Sequence, residues 1–162
     1  MAEVSGQAGM LFLLFQLNGE RYALDTASVV EVLPLLDVRV VPRAPAGVAG
    51  VIEYRGMTLP VIDLSELALG RPAARRLSTR IVIVEHTDAQ GVGRRIGVIA
   101  ERATSTLRCE PSQFQPSGLA RADAPYLGHL AKSVNGLVQR VEVSELLTPA
   151  MCSAFFETAP ER

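Results

Sequence analysis

The chain has 162 residues, 16 basic and 17 acidic side chains for a formal net charge of −1, and 48% hydrophobic against 20% charged content. That length fits one domain, or one built of two small lobes, and lets about 70% of the unfolded surface be buried without disulfide or metal staples. The balance argues against a disordered chain and shows no basic excess to neutralise phosphates, and a single lysine, Lys132, leaves no polybasic segment for a membrane surface.

In chain order, residues 1–9 are small and polar and read as a flexible N-terminus. The apolar run Met10 to Phe15 lacks the basic start and length of a signal peptide, and nothing approaches the ~20 apolar residues of a membrane span. The chain therefore reads as cytoplasmic and soluble. Met10 to Leu17 is a predicted strand, turned at Asn18-Gly19 into a return strand over Arg21 to Asp25. Val29 to Leu33 forms another β-branched segment and Val38 to Val41 a short strand. Val51 to Tyr54 and Thr58 to Leu64 pair around Arg55-Gly56, with Pro60 confining the second to an edge or a bulge. Asp63 is placed to cap a helical turn running from Ser65 to Gly70. The Arg-rich stretch 71–79 is the predicted lobe boundary, near 70–80.

Arg80 to Glu85 and Arg95 to Ala100 are predicted strands around a polar loop, and Thr104 to Leu107 continues the sheet. Residues 110–125, with three prolines, read as a long surface loop. Tyr126 to Ala131 and Leu137 to Val143 are the last strands, around Asn135-Gly136. Thr148-Pro149 starts a terminal helix whose apolar positions are Met151, Cys152, Phe155 and Phe156, with residues 151–162 as helix and tail. A faint echo links Arg55-Gly56 and Ser65-Glu-Leu67 to Asn135-Gly136 and Ser144-Glu-Leu146. Nine or ten short strands imply an all-β architecture.

No catalytic constellation emerges. Cys109 and Cys152 have no metal-ligand spacing and read as reduced thiols. A Cys109–His129 dyad has no local support, and His86 reads as structural. Gly91-Val-Gly93 leads into a strand, unlike a phosphate loop. Asp63 has a capping role to fill. A small hydrolase using Cys109 or Asp63 is the alternative from a different class. Edges, loops and no catalytic kit favour a binding module.

The segment Gly50-Val-Ile-Glu-Tyr-Arg-Gly-Met-Thr-Leu-Pro-Val-Ile-Asp-Leu64 closely resembles the central signature of CheW-like domains, the coupling modules of bacterial chemosensory pathways. Flanking matches at Phe12 to Leu17, Tyr22 to Asp25, Val29 to Val32, Ile96 to Ala100, Tyr126 to Gly128 and Val141 to Leu147 extend the resemblance over residues 10–150. It implies two packed small five-stranded β-barrels (SH3-like lobes), here followed by the C-terminal helix. It also implies no enzymatic activity, no cofactor and no metal. The implied partners are the cytoplasmic tip of a methyl-accepting chemoreceptor and the regulatory domain of a CheA-type histidine kinase. Nucleic acid and direct membrane insertion are not expected; recruitment to membrane receptor arrays would come through the partners. A CheW-like module that binds the kinase without receptors, as a sequestering subunit, is the alternative within this class.

The resemblance carries Arg55 of the signature to the receptor-docking groove, with Val29 and Glu31 beside it and Gly50 at the turn before the signature strand. The residues themselves leave other roles open: an ion pair within the lobe for Arg55, core for Val29, a solvated acid for Glu31. Glu53-Tyr54 departs from the usual Asn-Leu, and Ser65 stands where an Arg often follows. Glu53 and Arg55, two apart, are expected to project to one side of a strand and to neutralise each other or alter the charge shown to a partner. The departures suggest a receptor or kinase outside the standard chemotaxis array.

Overall fold

The run Ile81-Val-Ile-Val84 is apolar at every position, so a strand made from it needs cover on both faces. The computed structural model, which describes residues 9–87, 91–116 and 124–155, supplies that cover with two lobes. Nine strands run β1 (Met10–Leu17), β2 (Glu20–Asp25), β3 (Val29–Pro34), β4 (Val48–Tyr54), β5 (Met57–Asp63), β6 (Arg80–Thr87), β7 (Gly93–Cys109), β8 (Leu127–Ser133) and β9 (Gly136–Val141). Two short helices, α1 (Leu64–Leu69) and α2 (Pro149–Phe155), complete the elements used below.

One lobe has the strand order β3-β6-β7-β5-β4, the other β7-β1-β2-β9-β8. In both, the successive pairings are antiparallel, antiparallel, parallel, antiparallel. The lobes are thus two five-stranded, SH3-like copies of one pattern. The second is permuted, since its β1 and β2 come from the start of the chain. The sequence echo falls on equivalent places: β4–β5 with α1, and β8–β9 with the 3₁₀ turn Val143–Glu145.

β7 belongs to both lobes. Residues 93–100 pair with β6, and residues 101–109 pair with β1. Arg102, at φ 53°, marks the change of partner. The two predicted segments, Arg95 to Ala100 and Thr104 to Leu107, are therefore one strand of 17 residues.

Alternate residues explain the packing. Phe12 and Leu14 enter the interior of the second lobe with Ala23 and Val138. Ile81 and Ile83 enter the first lobe's interior with Ile52 and Val61. Their neighbours Leu13, Phe15, Val82 and Val84 point the other way, into a third cluster between the lobes, with Ile96, Val98 and Leu146. Period-two alternation with both faces apolar is what this arrangement demands.

Asp63 caps α1: its Oδ1 accepts from Ser65 N at 3.0 Å and Glu66 N at 3.2 Å, and Gly70 ends the helix at φ 79°. Its Oδ2 accepts from Ala73 N at 3.0 Å. Glu101 Oε2 accepts from Ala74 N at 2.8 Å, and Thr79 donates to Ala74 O at 2.6 Å. Residues 71–79 are thereby pinned as the connection from α1 to β6; the chain passes between lobes at the Thr26–Ser28 turn and within β7.

Pro60 fits because β5 gains its second neighbour, β7, only from Val61 onward. Val38 to Val41 is not a strand: one bridge, Arg39 to Val51, is its whole ladder. In α2, Thr148 Oγ1 accepts from Met151 N at 3.2 Å and Met151 is buried, but Cys152 is exposed and does not face the body. Residues 1–8, 117–123 of the predicted loop, and the tail from Phe156 lie outside the described residues.

Phe15 is 1% exposed in the cluster shared by both lobes. Phe15→Ala is expected to cost about 3–5 kcal/mol. Urea unfolding should show one transition at lower midpoint, because the shared cluster couples the lobes; two separated transitions would contradict that coupling.

Candidate functional site

The β4–β5 hairpin turns at Arg55-Gly56, with φ angles of 51° and 81°. Two positive φ values match a two-residue turn to the twist of its strands, and Gly56 adopts its own at no steric cost. The turn lifts Arg55 off the ladder, leaving its side chain 70% exposed.

Arg55 is nonetheless held. Its guanidinium carbon lies 5.3 Å from the centre of the Tyr54 ring. Its Nη2 donates to Glu31 Oε1 at 2.9 Å, and the Tyr54 hydroxyl donates to the same oxygen at 2.6 Å. β3 and β4 end the strand order of their lobe on opposite sides, so Glu31, Tyr54 and Arg55 tie its two edges with side chains. The Tyr54 hydroxyl bond, with help from Arg55 and against burial, holds the Glu31 carboxyl below the usual glutamate range. The same bond raises the Tyr54 hydroxyl above the usual tyrosine range.

The other residues of interest do different work. Glu53 is exposed and does not neutralise Arg55; it accepts from Thr58 Oγ1, its cross-strand neighbour, at 3.4 Å. The positive φ at Arg55 takes that residue out of strand geometry, so spacing by two no longer puts it beside Glu53. Val29 is half-buried and packs against the cluster between the lobes, while Val30 and Val32 on the opposite face of β3 are 38% and 39% exposed. Gly50 lies inside β4, not at a turn before it. Its φ is 150°, and an added Cβ would sit 2.0 Å from Arg39 O. It permits the close approach behind the Arg39–Val51 bridge.

Sequence patterning gave no reason to single out Met57. It follows the turn directly and is 54% exposed, adding apolar surface beside Arg55.

The residues weighed for catalysis are otherwise engaged. Cys109 is buried, donates toward Gln113 Oε1 at 3.5 Å, and has its thiol pushed up by burial, which disfavours the thiolate. His129 is exposed on β8. Both Asp63 oxygens serve the α1 cap and the strap after it. Among the described residues no group of His, Cys, Asp and Glu could hold a metal ion.

A family model for the CheW-like domain matches residues 11–150. The chain belongs to the CheW-like family. It is 25% identical over 144 residues to the chemotaxis protein CheW of Bacillus subtilis (strain 168), spanning 87% of this chain and 88% of that one. It is 28% identical over 138 residues to the chemotaxis protein CheW of Helicobacter pylori, spanning 84% and 80%. The fold matches the crystal structure of the scaffolding protein TtCheW from Thermoanaerobacter tengcongensis at a TM-score of 0.76 and 23% identity, over 91% and 94% of the two chains. CheW-family proteins are non-catalytic scaffolds that couple chemoreceptors to the kinase CheA.

The lowered Glu31 carboxyl gives a titration test. Its contribution to stability is present above the unfolded glutamate value and is lost as pH falls through the lowered folded value. Carbon-detected NMR should find Glu31 titrating below the ordinary glutamate value, and Tyr54→Phe should move it back up; an unmoved midpoint would remove Tyr54 as the main cause. Gly50→Ala is expected to lower stability with no partner present, as measured by thermal unfolding, because its Cβ meets backbone.

Proposed function

We propose that this protein bridges the cytoplasmic tip of a methyl-accepting chemoreceptor and the regulatory domain of a CheA-type histidine kinase, with the receptor contact centred on Arg55. The observation that carries the receptor half is the state of Arg55. Its guanidinium is oriented by Glu31 and Tyr54, yet its side chain is 70% exposed. A guanidinium has five N–H donors, and the described bond uses one nitrogen, so the rest can bond carboxylate or carbonyl groups of a helical tip. Fixing the fork beforehand reduces the ordering cost of binding.

Glu31 and Tyr54 position Arg55, while Met57 contributes apolar area beside the turn. Glu53 stands at the rim, where a charge steers partner choice more than it adds affinity. Val29 and Gly50 support this face from beneath, through packing and backbone approach. Interfaces of about 1,200–1,600 Å² in total would suit such a bridge. Signal transfer then requires both partners bound, since coupling is a property of two sites. Among the described residues no helix is long and apolar enough to cross a membrane. The proposed partners would place the chain in the cytoplasm, at receptor arrays.

Separate titrations of the purified protein against a receptor cytoplasmic tip and a kinase regulatory domain test this reading. Both should bind, and Arg55→Ala should weaken the tip by about tenfold or more while leaving the kinase domain unchanged. An unchanged tip affinity would remove Arg55 from the contact. Binding to the kinase domain alone would replace the bridge with sequestration.

A further inference from the structure

The second lobe leaves a gap in its ladder. β7 pairs with β1 and β8 pairs with β9, and among the described residues no ladder joins β7 to β8. A cavity of about 390 Å³ opens there, between β7 and the β8–β9 turn, with Arg21 of β2 on its wall. This is within the range of small-molecule sites.

Its charge is one-sided. Arg21, Arg108 and Lys132 line it, and no Asp or Glu occurs among its described lining residues. Arg21 Nη2 donates to the Ser133 hydroxyl, while its Nε is buried with no acceptor. The described bond of Arg108 is to Gly9 O at 3.3 Å, and Lys132 has no ion pair among the described residues. Three cations among the lining residues without a counter-charge, one of them with a buried unpaired N–H, favour an anion of more than one charge. A phosphate monoester carries about −1.5 to −2 at neutral pH and matches the arginine fork.

The remaining wall selects what carries the phosphate. Ser105, Thr106 and Asn135 offer hydroxyl and amide groups. No aromatic side chain is among the described lining residues, so a nucleobase would have no ring to stack on. We propose that this cavity binds a small phosphorylated polyol, its phosphate held by Arg21, Arg108 and Lys132 and its hydroxyls by Ser105, Thr106 and Asn135. The site lies in the lobe that does not carry Arg55. The same chemistry occurs in soluble sugar phosphates and in inositol lipid headgroups that carry a phosphate monoester.

The test is an amide NMR titration of the full chain with glucose 6-phosphate, glycerol 3-phosphate, inorganic phosphate, glucose and AMP, and with vesicles containing phosphatidylinositol 4-phosphate in a co-sedimentation arm. A phosphorylated polyol should shift the amides of Ser105 to Cys109 and Ser133 to Asn135 saturably, and bind more tightly than phosphate, glucose or AMP. Lys132→Gln and Arg108→Gln, both at exposed positions, should each weaken binding by about tenfold with the fold intact. Vesicle binding that these variants abolish, without binding of the free esters, would assign the chemistry to a lipid headgroup. Binding of free esters alone would assign it to a soluble metabolite. No saturable shift and no vesicle binding, glucose or AMP binding as tightly, or unchanged affinity in both variants would overturn the proposal.

Discussion

The apolar cluster between the lobes is the constraint on which the rest of the structure depends. β1 and β6 turn one set of alternate residues into their own lobe and the other set into this cluster. A polar side chain placed at one of its fully buried positions, such as Phe15 or Val82, would be taken out of water at a cost. The cost falls on both lobes, since Leu13 and Phe15 of one meet Val82 and Val84 of the other. Two small β structures, each marginal alone by surface-to-volume arguments, gain a common core by packing together. That packing frees their outer edges and turns for partners.

One such turn carries the candidate contact. The Arg55-Gly56 hairpin lies where β4 ends and β3 passes without a shared ladder, and Glu31 and Tyr54 supply the join. A single carboxylate oxygen accepting from a phenol and a guanidinium has two consequences. It ties the lobe's two edges, and it fixes the orientation of a guanidinium that stays largely in solvent. The internal ion pair of Arg55 is therefore compatible with the proposed receptor contact, since most of its donors stay exposed.

Much of this was legible in the chain, and the failures share a cause. Asn18-Gly19 and Arg55-Gly56 announce their turns through residue chemistry, and Asp63 announces its cap, because these features depend on near neighbours in sequence. The resemblance around Gly50 to Leu64 led to the lobed β architecture. The sequence pattern divides β7 in two because Glu101-Arg102 interrupts its apolar run; the interruption is where the strand leaves one lobe for the other. Val38 to Val41 has β-branched residues, but its only ladder contact is at Arg39. The Glu31–Tyr54 bond spans 23 residues and two unpaired strands, so no local pattern could signal it. The same holds for the cavity of Arg21, Arg108 and Lys132, whose parts come from three strands.

The permuted order of the second lobe fixes a timetable for a chain made from its N-terminus. β2 lies parallel to β9, with Arg21 opposite Val138, so more than a hundred residues separate the partners. At synthesis rates of about 5–20 residues per second, the first hairpin waits roughly 5–20 s for its neighbour. The other lobe, spanning β3 to the first half of β7, is complete well before then. It offers Val82 and Val84 to the waiting Leu13 and Phe15. The inserted lobe thus gives the apolar first hairpin a covered face while the last strands are still being made.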